Sequence, residues 1–258
     1  MYLCQMISKN KLRELAAYKQ QKCCDAEGVF VVEGEKMCAE IVAANIPVRV
    51  VCATKSWLER HADLHMCMQV FEVDDVSLER ISGLRTPNEV WMLLERHLDW
   101  SYGSRGSRLE LVLDHIQDPG NLGTIIRTAD WFGVRRIVCS EGTVSCFNPK
   151  VVQATMGGLL RTEIVYADLP DYLAHCGRPV YGAMLDGESI WSPAQRLQVP
   201  DGGAVLVVGN ESRGISPEVC RQITRRIAIP NLGGTAESLN AAVACAVLLA
   251  ELMRPSAR

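Results

Sequence analysis

The sequence predicts an α/β protein of two units, the second built on a mostly parallel sheet covered by helices on both faces. Three observations predict it. Short Val- and Ile-rich runs alternate with helix-period stretches, 48% of the 258 residues are hydrophobic against 22% charged, and the Gly-, Ser- and Arg-rich stretch WSYGSRGSR at 100–108 interrupts the alternation. Strands that read as near-continuous apolar runs are those buried on both faces, and repeated strand-helix order is the pattern of a parallel sheet.

The first unit opens with an amphipathic helix at 8–25, where Leu12, Leu15, Ala16 and Tyr18 stand near helical spacing. Strands follow at 29–34, 48–54, 68–73 and 89–95, separated by helices ending at Ala43 and near 55–63 and 75–82. A linker at 100–108 then divides a domain at 1–99 from one at 109–258. In the second, strands are expected at 109–114, 135–140, 162–167, 179–185, 203–209 and 225–230. Helices are expected near 121–132, 148–158, 169–175, 216–222 and 238–252.

Composition narrows the class. No apolar run reaches the roughly 18 residues of a membrane span, and MYLCQMISKNKLREL lacks the apolar block of a secretory signal, so a cytoplasmic location is expected and no membrane partner. The eleven cysteines form no C-x-x-C and sit in runs such as VRVVCAT and AAVACAVLL. That is the usage of small buried hydrophobes in a reducing compartment. His61, His65 and Cys67 have partial metal-ligand spacing but no second ligand group, so no metal is expected. A net charge of −3, with acids and bases nearly balanced in each half, argues against a DNA coat protein. Local patches remain: Lys9, Lys11, Arg13, Lys19 and Lys22 stand against Glu14 alone in the first 22 residues.

In open parallel sheets ligands bind beyond the carboxyl ends of the strands. Three strand ends carry unusual loops. After the strand at 109–114, Pro119 and Gly120 make a turn and Asn121 is expected to cap the next helix. On that helix Ile125, Ile126, Ala129 and Phe132 share one face, and Gly123, Arg127 and Asp130 the other. The plain reading of Arg127 is a surface pair with Asp130 at i+3. The second loop, VLVVGNESRGIS at 205–216, offers Gly209, Asn210, Glu211 and Arg213, its glycine allowing a ligand close to the backbone. The third, at 227–252, ends a strand at Ile229 and Pro230 and places Ser238, as cap, and Asn240, in the first turn, at the mouth of an Ala-rich helix. Neither a Walker loop nor G-x-G-x-x-G occurs, which opposes a nucleotide-binding enzyme of another doubly wound type.

Together, NLGTIIRTA at 121–129, VVGNESRGI at 207–215 and IP followed by SLN at 229–240 resemble, in order, the three motifs of the SpoU (TrmH) family of SPOUT RNA methyltransferases. NPKVVQATMGG at 148–158 is similar to the segment between the first two, and residues 12–42 resemble the substrate-binding domain that often precedes the catalytic one. The resemblance implies a Rossmann-like parallel-sheet domain tied in a deep trefoil knot, preceded by a small α/β RNA-binding domain. It also implies a homodimer with an active site shared between subunits, and S-adenosylmethionine as methyl donor to a ribose 2′-hydroxyl.

Carried over residue by residue, it makes Asn121, Arg127, Glu211, Ser238 and Asn240 catalytic and substrate positions, and Leu185, Gly209, Asn210, Ile229, Pro230 and Leu239 cofactor contacts. It recasts Lys9, Lys11, Arg13, Lys19 and Lys22 as phosphate contacts. The expected substrate is ribosomal RNA, with transfer RNA second. The alternative is an RNA-binding or assembly protein that has lost activity on the same fold, which the joint presence of the five catalytic positions opposes.

Overall fold

A computed structural model describes residues 5–98, 108–192 and 198–254. Apart from Arg108, the expected linker at 100–108 lies outside the described residues, as does Cys4. The chain forms two compact units, one of residues 1–98 with 147–157, the other of 99–146 with 158–258.

The first unit runs β1 (Gln5–Met6), α1 (Lys9–Ala16), α2 (Gln21–Glu27), β2 (Val29–Glu33), α3 (Glu35–Ala43), β3 (Val48–Ala53), α4 (Lys55–Arg60), β4 (Cys67–Glu72), α5 (Asp75–Ile81) and β5 (Val90–Glu95). The single helix expected at 8–25 is broken: a 3-10 turn occupies Ala17–Lys19, and Gln20 is extended at φ −92. The break turns Tyr18 inward to pack with Leu12, Leu15 and Cys24 against Val50 and Trp91 of the sheet. Gly28, at φ +65, ends α2 in the left-handed conformation that residues with a Cβ avoid. The strand order is β1-β4-β3-β5-β2, with β5 antiparallel to both β2 and β3, so this sheet is mixed. A helix from far along the chain, Pro149–Thr155, belongs to this unit, and Phe147 before it lies 5.0 Å from Phe30, ring to ring. That helix stops short of the expected 158, because Met156 turns left-handed at φ +50.

The second unit contains β6 (Leu109–Leu113), α6 (Pro119–Trp131), β7 (Arg136–Cys139), then, past the Pro149–Thr155 helix (α7), β8 (Glu163–Tyr166), α8 (Leu169–His175), β9 (Val180–Ser189), β10 (Ala204–Val208), α9 (Pro217–Cys220), β11 (Arg225–Ala228) and α10 (Ala241–Leu252). All pairings in the order β11-β9-β10-β6-β7-β8 are parallel. Strands β6 and β10 are buried along their whole length. They are neighbours although the chain leaves them toward opposite sides of the sheet, and that reversal opens a crevice at their carboxyl ends.

Candidate active site

Local capping sets the entry of each loop. Asp118, not Asn121, caps α6: its carboxylate accepts the Asn121 N–H at 2.8 Å, with Pro119 at the first helical position. The D-P pair was the signal. The shift by three residues frees the Asn121 side chain, which would otherwise be spent on the helix end. Similarly Asn240, rather than Ser238, caps α10, which begins at Ala241. Its Oδ1 accepts the N–H groups of Ala242 at 3.0 Å and Val243 at 3.3 Å.

These caps decide how a line of amides is oriented. With Asn240 Oδ1 committed to the helix, its Nδ2 faces outward and donates to Asn121 Oδ1 at 2.9 Å. Asn121 must then turn its own Nδ2 the other way, where it donates to the Glu211 carboxylate. An amide with one end fixed has no freedom to flip. Three residues separated by up to 119 positions in the chain are thereby joined with one polarity.

The loop that presents Glu211 is closed on itself. Asn210 and Gly214 exchange backbone hydrogen bonds at 3.0 and 2.9 Å, and Asn210 Oδ1 accepts the N–H groups of Ser212 and Arg213. A Cβ on Gly209 would lie 2.4 Å from the Gly214 carbonyl carbon and oxygen, so the glycine there admits the loop's own backbone, not in the first instance a ligand. Buried Asp114, at the end of β6, accepts the Ser216 N–H at 2.7 Å, and Asn210 Nδ2 donates to the His115 carbonyl at 2.9 Å. His115 itself is left-handed at φ +56, an uncommon conformation for a non-glycine residue, held by these neighbours. The third loop is gathered by Asn231, whose side chain bonds Gly233, Gly234 and Ala236. Sequence reading passed over Asn231, although an Asn ahead of Gly-Gly is a turn signal.

Between the second and third loops lies a cavity of about 1050 Å³. All six residues expected to touch a cofactor line it: Leu185, Gly209, Asn210, Ile229, Pro230 and Leu239. Glu211 and Ser238 also line it, and Met184, Ile215, Ile227 and Leu248, not anticipated, supply apolar walls. Apolar walls with a few polar groups suit a ligand with a flat ring and a charged tail. The residues therefore fit S-adenosylmethionine, which would set its base among the apolar side chains and its polar groups at the loop backbone.

Arg127 stands apart from this line. It is exposed on α6, and among the described residues its side chain has no hydrogen bond or ion pair. The expected pairing with Asp130 is not made; Asp130 is taken by Arg135 and Arg161. Gly123, expected beside Arg127 on the open face, is buried instead.

The first unit holds the other predicted residues. Lys9, Arg13, Lys19 and Lys22 are exposed, Lys11 pairs with Glu14 at 2.7 Å, and Lys19 donates to the Glu79 carbonyl at 3.1 Å. His61 meets Glu35 and stacks on Trp57, while His65 meets Asp63. Among the described residues no group of three His, Cys, Asp or Glu side chains could hold a metal ion.

Comparison with known proteins decides the lineage. Residues 108–250 match the model of the SpoU rRNA Methylase family, and residues 9–91 match that of the MRM3-like substrate binding domain. The chain belongs to the SpoU rRNA methylase family. It is 30% identical over 226 residues to the 23S rRNA (guanosine(2553)-2′-O)-methyltransferase RlmP of Bacillus subtilis, covering 86% of this chain and 88% of that protein. Among solved structures, a TrmH-family protein from Porphyromonas gingivalis superposes with a TM-score of 0.81 at 37% identity, over 96% of this chain and 98% of the other. An S-adenosylmethionine-bound rRNA methyltransferase from Sinorhizobium meliloti gives 0.80 at 26% identity, over 96% and 97%. This SpoU protein is accordingly an S-adenosylmethionine-dependent RNA ribose 2′-O-methyltransferase.

Proposed function

We propose that this SpoU methyltransferase modifies ribosomal RNA, that its first unit binds the RNA, and that it works as a homodimer. The observation that carries the catalytic part is the one-directional line Asn240 to Asn121 to Glu211 at the edge of the cavity. Ribosomal RNA is favoured over transfer RNA by the names of RlmP and the Sinorhizobium enzyme.

When bound, S-adenosylmethionine supplies an electrophilic methyl group on a sulfonium. The chain's own residues hold and orient. Gly209, Asn210, Ile229, Pro230, Leu239 and Leu185 hold the donor, and the apolar walls exclude water. Asn121 and Asn240 fix Glu211, and Ser238 adds a hydroxyl at the cavity rim. Arg127 acts as a cation: a guanidinium keeps its proton throughout the physiological range, so it grips the target phosphate and favours negative charge on the 2′-oxygen rather than taking its proton.

Because Arg127 is absent from the cavity lining, the reading assigns it to the cavity of a second copy. Trp131, one turn further along α6, is 85% exposed, and Val243 on the adjoining α10 is 50% exposed. Such side chains at the surface of packed helices are what a dimer interface would cover. The deep trefoil knot belongs to the same reading, with the loops at 209–216 and 229–240 as its crossing segments. A cytoplasmic location is supported by the ten described cysteines, none of which forms a disulfide among the described residues. Among the described residues no helix is long and apolar enough to cross a membrane.

The test is transfer of tritiated methyl from S-adenosylmethionine to ribosomal RNA purified from cells lacking the protein, with modified positions mapped by resistance to alkaline cleavage. Label at one alkali-resistant position is expected. Label on transfer RNA instead would overturn the substrate, and calorimetry without donor binding would overturn the enzyme.

A further inference from the structure

Helix α6 carries Arg127 and Asp130 three residues apart, a spacing that places opposite charges on one face within reach. The two are nevertheless unpaired. Asp130 Oδ1 accepts from Arg135 Nη1 at 3.2 Å, and Oδ2 from Arg161 Nε at 2.9 Å and Nη2 at 2.8 Å. The Asp130 side chain is 18% exposed, so it is largely taken from water, whereas Arg127 on the next turn is exposed.

The position of Arg161 is itself built in. It follows the 3-10 turn Gly158–Leu160, and a Cβ on Gly158 would lie 3.4 Å from both the Arg127 Cα and the Ile126 carbonyl oxygen. The turn thus lies against the helix at the level of Arg127, and the chain leaving it delivers the Arg161 guanidinium to Asp130. Arg135 arrives from the other side, just past the end of α6. Burial pushes the Asp130 carboxyl above its ordinary range, and Arg135 offsets only part of that rise.

We infer that Arg161, with Arg135, is a positioning residue for methyl transfer: the two guanidiniums hold the Asp130 carboxylate away from Arg127 and keep the Arg127 charge available to RNA. A half-buried carboxylate deprived of these partners turns to the nearest cation on its own helix face, which is Arg127. An Arg127 neutralised in that way attracts a phosphate weakly, since the pair presents no net charge. This inference rests on the role proposed for Arg127.

The experiment compares the full-length parent, Arg135→Gln/Arg161→Gln, and the same double variant with Asp130→Asn. Two readouts are taken: tritiated methyl transfer to ribosomal RNA, and the rate at which phenylglyoxal, an arginine-selective dicarbonyl, labels Arg127, followed by peptide mass spectrometry. The double variant should lose about tenfold in kcat/KM. Its Arg127 labelling should slow about threefold, the change a surface pair of ordinary strength produces. Adding Asp130→Asn should return both to near the parent. A purely structural role predicts no such rescue, because the triple variant lacks every one of these ion pairs. A triple variant as slow as the double overturns the inference, as does unchanged labelling in the double. Should the double variant fail to fold, Arg161→Gln alone with and without Asp130→Asn gives the same test at smaller amplitude. Labelling that follows the expected order in a parent that methylates no RNA would overturn the role of Arg127 while leaving the capture of Asp130 standing.

Discussion

The loop cluster of the second unit and the basic segment of the first are both polar and solvent-facing, yet they are built in opposite ways. In the cluster, Asn240 is tied to the start of α10, Asn121 to Asn240, and Glu211 to Asn121. In the basic segment Lys9, Arg13 and Lys22 are exposed on α1 and α2, and among the described residues their side chains have no hydrogen bond or ion pair. That contrast sets what each can contribute. Groups oriented before substrate arrives lower a barrier without reorganising, whereas tethered cations act through a field that salt screens within about 8–10 Å. Under the proposed function, chemistry falls to the first region and sequence-independent grip to the second.

The contrast can be broken most severely at Arg127, proposed as catalytic yet exposed like the cations of the other region. Arg127→Ala should reduce kcat by about 100-fold or more while donor binding by calorimetry stays unchanged. Near-normal methylation would remove Arg127 from the mechanism and leave the cluster to act alone. Next in size is Asn240→Ser, which keeps a helix cap but cannot also reach Asn121. A kcat loss of about tenfold is expected, with stability falling by less than about 1 kcal/mol in thermal unfolding. Equal losses in both would mean the line of amides serves only the fold.

The role of the basic segment is tested by Lys9→Gln/Arg13→Gln/Lys22→Gln. KM for RNA should rise several-fold, and the slope of log affinity against log salt should flatten by about 2 to 3, roughly 0.7–0.9 for each phosphate no longer neutralised. An unchanged slope would return these residues to a merely solvated face. The smallest effect is expected at Tyr18, whose hydroxyl donates to Glu27 at 2.8 Å and whose pKa burial pushes up to about 12. Because the folded pKa is raised, this contribution is complete below the ordinary pKa of 10 and disappears as pH climbs toward 12. Tyr18→Phe should lower stability by about 1 kcal/mol near neutral pH. Its thermal midpoint should then converge with the parent's above about pH 10, and methyl transfer should not change.

Much of the fold was legible because apolar runs and turn residues are local signals. The strands at 109–113 and 204–208 fall inside the runs that predicted them. What escaped was decided by distant partners. The break at Ala17–Lys19 goes with the packing of Tyr18 against the sheet, and Gly209 answers to the backbone of Gly214. Asn121 looked like a cap because it opens an apolar helix, but Asp118 had already taken that duty.

By itself the sequence determined two successions of strand and helix, the three loops where chemistry could reside, and, through their motifs, the SpoU resemblance. Only the tertiary structure decided that Asn121, Glu211 and Asn240 form one line, that residues 147–157 join the first unit, and that Asp130 belongs to Arg161 and Arg135 rather than to Arg127. The physical reason is common to all three. A side chain's partner is set by which groups the packed backbone brings within hydrogen-bond reach, and neighbours in space can be about a hundred residues apart in the chain.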